Sequence, residues 1–135
     1  MKIAPILLLA LAGSLIALLY AARKTRWIYR QPVESSKLRE ISGYVSEGAM
    51  AFLNREYKAL IAFVLVVAAF LALANTGNIR FQSISFLLGA AASATAGYVG
   101  MKVATASNAR TTHAAQEGIN PALKIAFSGG SVMGM

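Results

Sequence analysis

Metal-assisted or hydrolytic chemistry needs clustered carboxylates, and in these 135 residues they are sparse. Thirteen Lys and Arg stand against five acidic residues, namely Glu34, Glu40, Glu47, Glu56 and Glu117, with no Asp at all. Each Glu sits apart from the others among basic or polar neighbours. A divalent cation holding a phosphate ligand requires several hard oxygen donors together, and generating a nucleophile from water requires a metal or a positioned base. This spacing predicts no catalytic, cofactor or metal site within the chain. The absence of Cys excludes disulfides and thiolate metal centres. His113, the single histidine, has neither Cys nor Asp near it. It reads as a solvated residue at a helix end, because zinc and copper sites need several ligands. Ser128-Gly129-Gly130-Ser131 has glycines that could cradle a phosphate, yet it lacks the Lys and the spacing of a P-loop. It reads as a flexible or closely packed stretch of apolar helix. Glu56, between Arg55 and Lys58, lies at the edge of an apolar run, where two basic neighbours favour a structural role over intramembrane chemistry.

The elements that hold these residues are membrane helices. Hydrophobic residues make up 57% of the chain and charged residues 13%, against about 25% charged in an average soluble domain. Ile3–Ala22 is charge-free, long enough to span a bilayer as a helix. Only Lys2 precedes it and Arg23, Lys24, Arg26 and Arg30 follow it, the reverse of a signal peptide. Leu38, Ile41, Val45, Ala49 and Phe52 recur at helical spacing after the break at Pro32, predicting an amphipathic helix at the interface. Ala59–Ala74 and Phe81–Met101 are two further charge-free runs. Asn120-Pro121 resembles an N-cap followed by proline at the first helical position. The run Ala122–Met135 that follows would reach about 21 Å as a helix, short of a full span. The expected order is therefore a first transmembrane helix at 1–22 and a basic connection with the amphipathic helix at 23–58. A second transmembrane helix at 59–74, an external loop at 75–82 and a third transmembrane helix at 83–105 come next. A connection at 106–121 and a truncated fourth helix at 122–135 complete it. The fold class is all-α integral membrane, part of a larger multi-helix bundle.

The net charge of +8 is distributed by position. Eight Lys and Arg lie between Arg23 and Lys58, one between Asn75 and Gln82, and three between Lys102 and Lys124. The positive-inside rule places the first and third connections in the cytoplasm and the N-terminus outside. Arg23–Arg30 with Trp27 and Tyr29 reads as an interfacial anchor of a lipid bilayer rather than a nucleic-acid surface. In the third run, Gly89, Ser93 and Gly97 are spaced by four, as are Ala92, Ala96 and Gly100. Small residues in this pattern let a second helix approach closely, so Gly89, Ser93, Gly97 and Gly100 are the candidate helix-packing residues.

The stretches Gly48-Ala-Met-Ala-Phe-Leu-Asn-Arg-Glu-Tyr-Lys58, Phe86-Leu-Leu-Gly-Ala90, Ala96-Gly-Tyr-Val-Gly-Met101, Ala104-Thr-Ala-Ser-Asn-Ala-Arg-Thr111 and Ala126-Phe-Ser-Gly-Gly-Ser-Val-Met-Gly134 resemble, in order, the second to fourth helices of membrane-bound, ion-pumping pyrophosphatases. The likeness runs from about Ile41 to Met135. It implies an N-terminal fragment of an all-helical, homodimeric pump that hydrolyses a magnesium–pyrophosphate complex and moves protons or sodium ions outward. In that family the Mg2+ and pyrophosphate are held by Asp clusters, with Lys and Glu, on later helices, and none of those motifs has a match here. The partners implied are the remaining helices of the parent pump, and the segment itself would scaffold and be inactive alone. An alternative reading is a small, non-catalytic membrane interaction subunit.

Overall fold

A computed structural model describes residues 3–74 and 81–135; the expected external loop at 75–82 lies largely outside them. Among the described residues the chain forms four helices, α1 (Ile3–Tyr29), α2 (Ser36–Ala74), α3 (Phe81–Ala115) and α4 (Ile119–Gly134), and no strand. Three of them, α1, α2 and α3, are long and apolar enough to cross a membrane. The protein is an all-α integral membrane chain.

The helices outrun the apolar segments that mark them. Leu, Ala, Arg and Lys are all good helix formers, so α1 continues through the basic cluster to Tyr29. It stops where the Gln31 side chain donates from Nε2 to the Trp27 carbonyl at 3.1 Å and Pro32 follows. Ser35 then caps α2, its Oγ accepting from the Leu38 amide at 3.3 Å. The amphipathic stretch and the second apolar run are one continuous helix of 39 residues, about 58 Å long. With α3 at 35 residues, about 52 Å, two rods extend well past the roughly 30 Å hydrocarbon layer. The basic half of α2 and the C-terminal end of α3 supply that excess, so the first part of the expected connection, 106–115, belongs to α3.

The reversal from α3 to α4 depends on Gly118. Its amide donates to the Ala114 carbonyl at 3.2 Å, ending α3, and its own carbonyl accepts from Ala122 at 3.5 Å, starting α4. The residue sits at φ 143°, a conformation that L side chains rarely adopt. Gly118, not Asn120, is the N-cap, and α4 begins at Ile119. Pro121 falls in the first turn, where its missing N–H leaves no helical bond unmade.

α3 is the central element. It packs against α2 on one side and α4 on another, while α1 meets α4 and α3. Burial is concentrated towards the end of the bundle where α1 and α3 finish and α4 begins. Ile28, Val103 and Val132 form one buried cluster and Ala114, Ala122 and Ile125 a second, with Trp27 packed against both. Elsewhere large apolar side chains are open: Leu9 is 74% and Phe70 69% exposed. In a helix that crosses a bilayer, such positions meet lipid or further helices.

Candidate functional site

Two features of the α3 surface can be built from its residues upward: a seam against α4 and a groove against α2. In the seam Gly129 is buried directly opposite Ser107. A methyl group built on Gly129 would stand 2.9 Å from the Ser107 Cβ and nearer still to its hydroxyl. About two turns earlier on α3, Gly100 is buried against Met133, with a built methyl 3.5 Å from the Met133 Cγ. The hydroxyls of this seam are satisfied within their own helices. Ser107 donates to the Ala104 carbonyl at 2.7 Å, Ser128 to Lys124 at 2.7 Å and Ser131 to Ser128 at 2.9 Å. Thr105 donates in the same way to Met101 at 3.0 Å. Backbone-directed hydroxyls let small polar residues sit in an apolar setting without open hydrogen-bond valences. Sequence reading singled out Gly129 only within Ser128-Gly129-Gly130-Ser131, as part of a flexible or closely packed stretch, and did not single out Ser107. The signal that points to them is the continuation of the small-residue series Ala96, Gly100, Ala104 one turn further to Ser107.

Of the four candidate packing residues, Gly89, Ser93 and Gly97 line an apolar groove of about 890 Å³ between α2 and α3. Gly100, by the drift of a four-residue spacing around the helix, faces α4 instead. A methyl on Gly89 would meet nothing within 4 Å, and Ser93 is exposed. At Gly97 the neighbour is Tyr57 of α2, whose hydroxyl donates to the Ala94 carbonyl at 2.5 Å and would lie 3.1 Å from a Gly97 methyl. The tyrosine thus bridges α2 to α3 across a glycine that makes room for it.

A basic, aromatic corner closes the end of the bundle. Lys24 donates from Nζ to the Ser128 hydroxyl at 3.2 Å, joining α1 to α4. The Lys24 and Lys124 ammonium groups lie 5.5 and 5.6 Å from the Trp27 ring centre, within cation–π range. The Arg110 guanidinium lies 5.2 Å from the Tyr29 ring and donates to the Ala106 carbonyl at 2.6 Å. Between these groups is a cavity of about 280 Å³ lined by Trp27, Arg110, His113, Glu117 and Lys124 among others. His113 is half-buried here rather than solvated, and its Nδ1, like the Arg110 Nε, is shielded with no hydrogen-bond partner. All five glutamates are exposed, and the one ion pair among the described residues is Lys37–Glu40 at 3.1 Å. Among the described residues no three His or Glu side chains gather into a metal-binding group. The donor set does not fit magnesium: the corner presents cations where hard carboxylates are needed.

The sequence compares with known proteins along nearly its whole length. Residues 15–135 match the family model described as "Inorganic H+ pyrophosphatase". A protein of Clostridium tetani named a putative K(+)-stimulated pyrophosphate-energized sodium pump is 44% identical over 126 residues, 93% of this chain and 18% of the relative. A K(+)-stimulated pyrophosphate-energized sodium pump of Thermotoga maritima is 43% identical over 90% of the chain and 16% of its own length. A K(+)-insensitive pyrophosphate-energized proton pump of Moorella thermoacetica is 39% identical over 92% of the chain and 18% of its own length. The chain therefore spans less than a fifth of the length of these curated relatives.

Proposed function

The chain belongs to the inorganic H+ pyrophosphatase family, and from that membership we propose that residues 1–135 are the N-terminal membrane segment of a pump that couples diphosphate hydrolysis to export of H+ or Na+. The observation that carries this reading is the match of residues 15–135 to the family together with 44% identity to a relative named as a pyrophosphate-energized pump. The role proposed for the segment is topogenesis and scaffolding. Magnesium and pyrophosphate would be held by carboxylates elsewhere in the parent chain, since the five exposed glutamates here form no ligand set. The whole pump would act as a homodimer in a bacterial or archaeal plasma membrane.

Within that reading, the membrane crosses 1–22, 59–74 and 83–105, with a fourth crossing begun at 122–135. Residues 23–58 and 106–121 are cytoplasmic, and 75–82 and the N-terminus are outside. The eight-to-one-to-three distribution of Lys and Arg supports this orientation. Gly89, Ser93, Gly97 and Gly100 are the proposed packing residues. The open α2–α3 groove, lined by the first three of these, supports covering by further helices of the parent pump. Expressing the parent reading frame and assaying isolated membranes tests the proposal. Magnesium-dependent release of phosphate from pyrophosphate, absent from control membranes, is expected. Membranes that contain the full-length protein and hydrolyse no pyrophosphate would refute it.

A further inference from the structure

We propose that the corner formed by Lys24, Trp27, Arg110 and Lys124 is a binding site for the phosphate of an acidic phospholipid. Three cationic side chains converge there from three helices. Lys24 and Lys124 share the Trp27 ring, and Arg110 stands across the same small cavity, over Tyr29. None of the three has a carboxylate within ion-pair distance among the described residues. Glu117 lines the cavity too, but against Arg110 and Lys124 the balance of its lining remains positive. Like charges held together without a counter-ion repel, so an anion between them stabilises the arrangement. The cavity wall also carries two shielded nitrogens without hydrogen-bond partners, the Arg110 Nε and the His113 Nδ1. A buried polar atom left unpaired is costly. A cavity of about 280 Å³ is large enough for a phosphate group and too small for a folded segment.

Position selects a lipid over free phosphate. Lys24 follows the charge-free run Ile3–Ala22 by two residues, and the Tyr20 ring lies 5.6 Å from its ammonium on the membrane side. Leu15, Leu18 and Leu19 of that run are all more than 60% exposed, leaving an apolar bed for acyl chains directly beneath the charges. Tryptophan and lysine at this depth mark the headgroup layer, and basic pockets between transmembrane helices are suited to anionic headgroups. The site depends on the helices crossing a membrane but not on the pumping activity proposed above, so the two can fail separately.

The test uses the full-length parent protein in nanodiscs that contain photo-crosslinkable phosphatidylglycerol or phosphatidylcholine, with labelled peptides mapped by mass spectrometry. Labelling at the corner should favour phosphatidylglycerol. Lys124→Gln, and Lys24→Gln with it, should lower that preference roughly fivefold for each ammonium removed. The Lys24→Arg/Lys124→Arg protein should keep the preference, and Lys58→Gln, which removes an exposed charge elsewhere, should leave it unchanged. Millimolar inorganic phosphate should displace none of the lipid. Equal labelling by the two lipids in the wild type, showing no preference for the acidic headgroup, or no labelling at the corner, showing it covered by protein, would overturn the proposal. An equal loss in Lys58→Gln, or displacement by inorganic phosphate, would overturn it as well.

Discussion

Gly129→Ala is the substitution to which this bundle should respond most sharply for its size. The added methyl would stand 2.9 Å from the Ser107 Cβ and closer to its Oγ. Real Cβ atoms do not tolerate such a contact, and the obstruction is the root of a side chain rather than its flexible end. Ser107 cannot swing clear without giving up its 2.7 Å bond to the Ala104 carbonyl, so α3 and α4 must separate. Overpacking of a tight interior costs about 1–3 kcal/mol, while exchanging a mid-helix Gly for Ala returns about 0.5–1 kcal/mol. The net expectation is a loss of up to about 2 kcal/mol. Gly130→Ala is the internal control, because a methyl there meets nothing within 4 Å, and it should be neutral or stabilising by the propensity gain alone. Thermal unfolding of the full-length parent in detergent measures both. Ser107→Gly should rescue Gly129→Ala, since the two side chains compete for one space, and the double-mutant cycle should show coupling. Equal melting temperatures for Gly129→Ala and Gly130→Ala, or additivity of Gly129→Ala with Ser107→Gly, would refute the seam.

Three further outcomes are expected. Gly97→Leu should push the Tyr57 hydroxyl off the Ala94 carbonyl and lower stability by about 1–3 kcal/mol, whereas Val99→Leu, at a side chain 47% exposed, should be nearly silent in the same melts. Single cysteines at positions 36, 76 and 112 of this Cys-free chain should react with an impermeant thiol reagent applied outside only at 76. Labelling at 36 or 112 but not 76 would invert the topology. Purified residues 1–135 should release no phosphate from pyrophosphate above background with excess magnesium, because the five glutamates are scattered and exposed; activity that follows the purified segment and disappears on substituting Glu56 or Glu117 would contradict this.

The all-helical membrane architecture was legible because a bilayer imposes its length on apolar runs, and four runs stand out in the sequence. Where each helix ends was less legible. Apolar runs mark the lipid, whereas Arg23–Tyr29 and Lys102–Ala115 hold no Gly or Pro to break a helix, and α1 and α3 continue through them. The start of α4 was read at Asn120 because side-chain capping is the familiar signal. The actual cap is Gly118, selected by its φ of 143°, which no side-chain pattern announces. The four-residue spacing puts Gly89, Ser93 and Gly97 along one groove, but it carries no information about which helix stands opposite. Tyr57 at Gly97 and Met133 at Gly100 come from tertiary register. The same holds for Ser107 against Gly129, and for Lys24 reaching Ser128 more than a hundred residues away. The basic corner was visible only as an interfacial anchor, because the contribution of Arg110, His113 and Lys124 depends on α3 and α4 turning back beside α1.

The central claim, that these residues open a pyrophosphate-driven cation pump, is tested most directly with the full-length parent in inverted membrane vesicles. Pyrophosphate and magnesium are added outside, and acidification of the lumen is followed with a quenched dye while sodium uptake is followed with a radioactive tracer. The account predicts pyrophosphate-dependent accumulation of one of the two cations. Hydrolysis of pyrophosphate with neither cation moving, or no hydrolysis at all, would contradict it.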